Sequence, residues 1–247
     1  MSRNPWFRGW FGREYLALYP HRDRAEARLA VALLRETTRL GPGRQVLDVG
    51  CGPGRHLEEL DRIGCLPVGL DLSRAMIEAA RTAAPRAGLV RGDMRSLPFR
   101  NAAFDVVTSY FTSFGYFDDD DDDLSVLCEV RRVLKAGGWY LLDYLNADEV
   151  VANLSSEDRR TVSGFEVTQR RRLVEGGRTI EKRIRIDGGA NVPAREFQER
   201  VRLYRPEDLH SMLVRAGLTP DSLFGGYDRS PYESMSPRCI VLARTCG

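Results

Sequence analysis

The segment Val46-Leu47-Asp48-Val49-Gly50-Cys51-Gly52-Pro53-Gly54-Arg55-His56 constrains this chain more than any other part of it. A short apolar run closes on an acid and then on glycines at 50, 52 and 54. A buried strand that must turn at once into a helix has this pattern. Glycine accepts positive φ and carries no side chain, so the backbone can approach a bound group closely. A helix from about Arg55 directs its first amides into the same space. The dinucleotide fingerprint G-x-G-x-x-G places its third glycine five residues after the first. Here the third glycine follows four after the first, and Asp48 stands two before it.

Further elements follow in order. Leu66-Pro67-Val68-Gly69-Leu70-Asp71-Leu72-Ser73 reads as the next strand, ending in Asp71, with Ser73 as a helix N-cap. An acid about 20 residues past a glycine loop is the ribose-binding arrangement of doubly wound sheets, and a carboxylate can accept two hydroxyls. Leu89 to Phe99 contains Gly92-Asp93-Met94, and Phe104 to Phe111 reads as a fourth strand. Leu127 onward reads as a helix ending at Lys135-Ala136-Gly137-Gly138, followed by a strand over Trp139-Tyr140-Leu141-Leu142-Asp143.

Over roughly residues 40–145 these motifs resemble the class I S-adenosylmethionine-dependent methyltransferases, the glycine loop resembling their motif I. Leu134-Lys135-Ala136-Gly137-Gly138 resembles the family turn L-K-P-G-G, with Ala136 in the proline position. The resemblance implies an α/β fold: a doubly wound, seven-stranded, mostly parallel sheet with helices on both faces. It implies S-adenosylmethionine as cofactor and S-adenosylhomocysteine as product. The implied cofactor residues are Asp48, Gly50, Cys51 (a small side chain in the loop), Gly52 and Gly54 around the methionine end. Asp71 and Leu72 are implied at the ribose. Asp93 is implied to receive the adenine amino group while Met94 packs on the ring, a contact that suits a thioether. Ser109, Tyr110 and Phe111 would close the site from the fourth strand. Related enzymes use N-terminal tyrosines for the cofactor carboxylate, which makes Tyr15 and Tyr19 candidates, and Arg24 a weaker one. Candidate bases or positioners are Tyr110, Tyr116, Asp143 and Tyr144, with Asn146, His21 and His210 behind them.

Outside the motifs, residues 1–40 read as a helical lid. Trp6, Phe7, Trp10, Phe11, Tyr15, Leu16 and Tyr19 recur at roughly helical spacing, and Arg24 to Thr38 is amphipathic through Ala27, Val31 and Leu34. Residues 41–150 read as the cofactor-binding core, 151–205 as an inserted antiparallel β cap, and 206–247 as the end of the core sheet. In the cap, Thr161 to Val174 and Arg178 to Asp187 read as strands around Glu175-Gly176-Gly177, and Arg195 to Tyr204 as a third. Ile180, Ile184 and Ile186 alternate with Glu181, Arg183 and Arg185, predicting one apolar and one charged face. Residues 206–216 read as a helix, with closing strands near 218–225 and 238–244. Thr112 to Phe117 follows the fourth strand and is expected to wall the site, because ligands bind beyond the carboxyl ends of parallel strands. The six aspartates at 118–123 read as a solvated loop feeding a helix N-terminus, with attraction of a cationic substrate as the alternative.

Composition narrows the function. Five cysteines without a C-x-x-C pair and three histidines without ligand spacing indicate neither a disulfide framework nor a metal site. No apolar run is long enough to span a membrane, and Met1 to Trp6 has no secretory apolar segment, so a cytoplasmic location is expected. The formal net charge is +2, which disfavours nucleic acid as a partner for the whole molecule. Residues 157–205 alone carry 13 Arg/Lys against 8 Asp/Glu, so an RNA or protein methyltransferase stays open as an alternative, as does a non-catalytic cofactor-binding protein. The expected reaction is in-line methyl transfer to N, O or C of a small molecule. Asn-Pro-Pro-Tyr and Asp-Pro-Pro-Tyr are missing after the fourth strand, which argues against nucleobase or glutamine amide acceptors. A homodimer is compatible with all of this.

Overall fold

The computed structural model describes residues 5–19, 24–188 and 193–246. Three helices come first: α1 (Trp6–Trp10), α2 (Arg13–Leu18) and α3 (Arg24–Thr38). The chain then alternates: β1 (Gln45–Val49), α4 (Arg55–Arg62), β2 (Leu66–Asp71), α5 (Arg74–Ala83), β3 (Gly88–Arg91), β4 (Phe104–Ser109), α6 (Asp120–Val133) and β5 (Leu134–Tyr144). After α7 (Ala147–Ala152) come β6 (Glu157–Val162), β7 (Phe165–Val174), β8 (Thr179–Ile186) and β9 (Arg195–Arg202). The chain closes with α8 (Pro206–Arg215), β10 (Leu218–Phe224) and β11 (Cys239–Thr245).

The main sheet has seven strands in the order β10-β11-β5-β4-β1-β2-β3. Strands β1 to β5 run parallel; β11 lies antiparallel to β5, and β10 to β11. Both faces are covered, which is why β1 shows no polar alternation: Val46, Leu47 and Val49 are all fully buried. On one face Ala30, Val31 and Leu34 of α3 pack on Val46, Val106 and Leu141. On the other, Leu127 and Val130 of α6 and Leu209 and Leu213 of α8 join Leu47, Val107 and Leu142. The strand order reverses between β1 and β4, so the loops leaving their carboxyl ends part there and open a crevice.

Helix α6 ends earlier than its sequence suggests. It stops at Val133, and Leu134 is already extended, with φ −73° and ψ 138°. Leu134 pairs with Phe104 and Trp139 with Val106, so Lys135 to Gly138 bulge out of the sheet instead of capping a helix. Tertiary partners hold the bulge. Gly138 N–H donates to the Thr245 hydroxyl at 3.1 Å, and Lys135 Nζ donates to Asp105 at 2.8 Å.

The inserted sheet has four strands, β6-β7-β8-β9, not three. The expected strand over Thr161 to Val174 breaks at Ser163-Gly164, whose φ values of 51° and 83° make a two-residue hairpin turn between Val162 and Phe165. The charged face of β8 also differs from expectation. Glu181 is buried, receiving Arg172, Arg183 and Gln198, whose long stems cover it. Lys182 shares the apolar face with Ile180 and Ile184, and its Nζ reaches the Tyr19 hydroxyl at 3.1 Å and the Glu199 carboxylate.

The aspartate run is an interface as well as a helix start. Asp119 caps α6 by accepting Asp121 N–H, and Asp120 to Asp123 fill the first turn, where carboxylates suit the helix dipole. The same run receives arginines from the inserted sheet: Arg200 on Asp118 at 3.2 Å, and Arg202 and Arg178 on Asp120 at 3.0 and 3.3 Å. Arg202 also donates to Glu175 at 2.9 Å. Replacing Arg202 with glutamine is expected to destabilise the protein by about 1–2 kcal/mol, since Asp120 is partly solvated and the pair is discounted accordingly. A urea denaturation curve identical to wild type would show that the run is only a solvated helix start.

Candidate active site

The glycine turn is pinned from both sides. Gly50 and Cys51 N–H both donate to the Leu70 carbonyl, at 2.8 and 3.0 Å. A Cβ at Gly50 would sit 2.6 Å from Cβ of Ser113, so only glycine fits beneath the β4 loop. Gly52 has φ 53° and nothing within 4 Å of its missing Cβ; that side faces the open crevice. Asp71 ties this turn to the start of α5: one carboxylate oxygen accepts Gly52 N–H at 2.9 Å, the other Ser73 N–H at 2.8 Å. Burial raises the Asp71 pKa against the pull of these amides.

Behind the turn lies a buried polar group. Asp48 accepts the Thr108 hydroxyl at 3.1 Å through one oxygen, and its other oxygen has no partner among the described residues. Burial pushes its pKa up to about 7. His56 stacks on Tyr110 with ring centroids 4.0 Å apart. His56 Nε2 and the Tyr110 hydroxyl are likewise buried and unpartnered. Burial drives the His56 pKa well down, so the imidazole is neutral, and drives the Tyr110 phenol well up.

The crevice holds about 1070 Å³ of empty space, counted out to its open side. Tyr15 and Tyr19 of the N-terminal segment line it, joined by Phe7 and Phe11. These rings interlock with the loop after β4: Tyr116 lies 5.1 Å from Trp6 and 5.6 Å from Phe11, centroid to centroid. Gly50, Cys51 and Gly52 form one wall, and Asp71 and Leu72 the next. Asp93 and Met94 follow, then Tyr110, Phe111 and Tyr116. Asp93 is held by Arg95, whose Nη2 donates to it at 2.7 Å while Nη1 reaches Asp122 at 2.9 Å. The Arg95 hydrogen bonds keep the Asp93 carboxyl below its ordinary range.

Five expected site residues lie outside the lining. Asp48 sits beneath the turn, and Gly54 begins α4 one step behind it. Ser109 is enclosed within the sheet, accepting the Tyr140 hydroxyl at 3.1 Å. Tyr144 is fully buried and donates its hydroxyl to the Arg202 carbonyl under β9. Asp143 is fully buried and saturated: it accepts Arg238, the Tyr227 hydroxyl and Phe111 N–H. Neither Asp143 nor Tyr144 is placed to serve a substrate as a base; position at a strand end pointed to the crevice, but burial turned both into structural partners. Asn146 caps α7 and holds the carbonyls of Glu233, Ser234 and Ser236. His210 is exposed on α8, Arg24 pairs with Glu58 at 3.0 Å, and His21 lies outside the described residues.

Sequence reasoning assigned no role to Arg55, His56 or Met76, which also line the crevice. The first two had a signal: they open the helix whose amides point into it. Phe111 and Thr112 were expected at the site, but their backbone conformation was not legible in the sequence. Both have positive φ, 54° and 62°, which is strained for any residue with a side chain and most for a β-branched one.

Among the described residues no group of three or more His, Cys, Asp or Glu could hold a metal, and no helix is long and apolar enough to cross a membrane. The crevice does fit the adenosyl cofactor of the methyltransferases. The open side of Gly52 leaves room beside the turn, Asp71 has acceptor capacity left, and aromatic rings line the opposite wall.

Comparison with known proteins agrees. Residues 47–142 match a family described as a methyltransferase domain. An N,N-dimethyltransferase of dTDP-3-amino-3,4,6-trideoxy-alpha-D-glucopyranose from Streptomyces venezuelae is 32% identical over 145 residues, which are 56% of this chain and 60% of that protein. An uncharacterized methyltransferase from Synechocystis sp. is 36% identical over 108 residues, 43% of this chain and 50% of its own length. The chain thus spans between half and three-fifths of these curated relatives. An S-adenosylmethionine-dependent methyltransferase from Clostridium acetobutylicum superposes with TM-score 0.81 at 20% identity, covering 95% of this chain and 97% of that one. A sugar N-methyltransferase from Streptoalloteichus sp. superposes with TM-score 0.71 at 23% identity, over 96% and 94%. Both superpositions extend over nearly the whole of this chain. Residues 47–142 of this chain thus carry a methyltransferase domain, set in a fold that the whole chain shares with S-adenosylmethionine-dependent methyltransferases.

Proposed function

We propose that this protein transfers a methyl group from S-adenosylmethionine to a small molecule, and that the acceptor atom is an amine nitrogen. Bound S-adenosylmethionine supplies a methyl group activated on a sulfonium. Asp71 accepts ribose hydroxyls, Met94 packs on the adenine, and Asp93 takes its amino group through acceptor positions that Arg95 leaves free. Tyr15 and Tyr19 close over the methionine end. Residues 1–40 act as lid, 41–150 as cofactor core, 151–205 as substrate cap and 206–247 as the end of the core sheet, all in the cytoplasm. Enclosure beneath the lid excludes water, and alignment carries much of the acceleration.

One observation carries the choice of nucleophile. Among the described residues, Asp71 and Asp93 are the carboxylates lining the crevice, and both are engaged by the protein. With the His56 imidazole kept neutral but enclosed, the described lining residues offer no strong base. An amine needs only to be held neutral in line with the methyl group, whereas a hydroxyl or an acidic carbon needs proton removal. Tyr110 and Tyr116 are the positioners. Two similar proteins are named as amino-sugar N,N-dimethyltransferases, which supports an amine. The RNA or protein reading rests on the basic inserted sheet, yet Arg159 and Arg170 are paired with Glu157, Arg183 with Glu181 and Arg185 with Asp187. A solvated, self-neutralised face suits nucleic acid poorly.

The test uses methyl-labelled S-adenosylmethionine and fractionated cell extract, with ribonuclease or protease treatment before counting. Label in small, amine-bearing molecules is expected. Label that disappears with ribonuclease or protease would replace this reading with the macromolecular one.

A further inference from the structure

The crevice is bounded by a strained turn whose restraint comes from an unusual source. Phe111 and Thr112 both occupy the left-handed region, at φ 54° and 62°. Both amides end on one residue: Phe111 N–H donates to Asp143 Oδ2 at 2.8 Å, and Thr112 N–H to the Asp143 carbonyl at 2.9 Å. Asp143 is itself fixed. Its Oδ2 also accepts the Tyr227 hydroxyl at 2.6 Å, and its Oδ1 accepts Arg238 Nε at 2.7 Å. The Arg238 guanidinium then lies over the Phe111 ring, 4.8 Å from the centroid. Arg55, paired with Glu26 at 2.7 Å, lies over the same ring at 4.9 Å. The ring is held by two guanidiniums, and its backbone by the anion that anchors one of them.

We propose that Asp143, Arg238 and Tyr227 are positioning residues: together they lock the Phe111–Thr112 turn so that the Phe111 ring is presented to the cofactor crevice. This rests on the crevice being the S-adenosylmethionine site. A strained pair persists only where its surroundings over-determine it, and strain of this kind concentrates at ligand clamps. An acid placed only to stabilise the sheet would have no reason to take the Phe111 amide of a strained turn whose Phe111 lines the crevice, while its own main-chain carbonyl takes the Thr112 amide. The three residues act through Phe111 and touch no reacting atom.

The test is calorimetric titration with S-adenosylhomocysteine, paired with thermal melts. Tyr227→Phe removes one donor from Asp143, and Phe111→Leu removes the ring. Each is expected to weaken binding about tenfold, the equivalent of one lost charge-assisted hydrogen bond. The double variant is expected to bind no more weakly than Phe111→Leu alone, because both changes act on the same ring. Thr112→Gly supplies a readout that a purely structural role would not move. It relieves the strained φ, so the melting temperature is expected to hold or rise while affinity falls. If wild type binds but Tyr227→Phe and Thr112→Gly bind equally well, or if the double variant shows additive losses, the clamp is overturned and the cofactor site stands. If wild type does not bind, the cofactor reading fails and takes the clamp with it.

Discussion

Replacing Asp71 with alanine is expected to lower affinity for S-adenosylhomocysteine by more than about 100-fold, as two charge-assisted hydrogen bonds at about 1.5–3 kcal/mol each would require. A carboxylate has about four acceptor positions. Gly52 and Ser73 amides take two of them, which leaves acceptor capacity on a side chain that lines the crevice. The substitution removes the ribose contacts and also unties Gly52 from α5. Stability should therefore fall as well, by about 2–4 kcal/mol for two buried amides left without an acceptor. Asp71→Asn separates the effects. One oxygen survives, but the amide nitrogen now opposes a backbone N–H, so the turn is half restrained. Calorimetry and urea denaturation on both variants decide the matter. Wild-type affinity in Asp71→Ala would falsify the ribose assignment.

Stability should also depend on pH in a direction opposite to that of most proteins. Burial raises the pKa of Asp48 and of Asp123 to about 7, from an ordinary 3.8. In the unfolded chain both lose their protons near the ordinary value. Between those limits the native state holds protons that the unfolded state has released, so stability falls as pH rises towards 7 and levels off above it. A shift of about three units corresponds to at most about 4 kcal/mol for each group. Carboxyls held down by a partner act lower on the scale: Asp93, bonded by Arg95, and Glu129, bonded by Arg132, contribute stability that is lost as pH drops through their folded values. A maximum near the ordinary carboxyl values, at about pH 4, is expected from the two trends. Asp123→Asn should remove part of the slope. Asp123 accepts Gly115 N–H at 3.1 Å and the Tyr204 hydroxyl at 3.0 Å, so the same titration bears on the loop that walls the crevice. Melting temperatures that stay level from mildly acid to neutral pH would mean both groups are ionised in the native state.

The readable parts of this protein are those whose reasons are local. A glycine turn between strand and helix, an acid at the end of the next strand and an apolar run buried on both faces all follow from backbone sterics and solvent exclusion within a dozen residues. Hence β1, the Gly50–Gly54 turn, Asp71 and the crevice between β1 and β4 could be placed from the chain alone. The N-terminal aromatics that line the crevice are legible too, because their spacing is helical. Charge partners were not. Asp143 at a strand end reads as a candidate base, but Arg238 arrives from 95 residues further on to neutralise it and Tyr227 from 84 to take its other oxygen. The aspartate run reads as a solvated loop, but Arg202 reaches Asp120 from 82 residues away. Whether an ionised group faces water, a substrate or a buried counter-charge depends on which distant segments the fold brings to it. Hydrophobic periodicity and turn chemistry act along the chain, whereas desolvation and ion pairing act through space, and only the tertiary structure supplies the space.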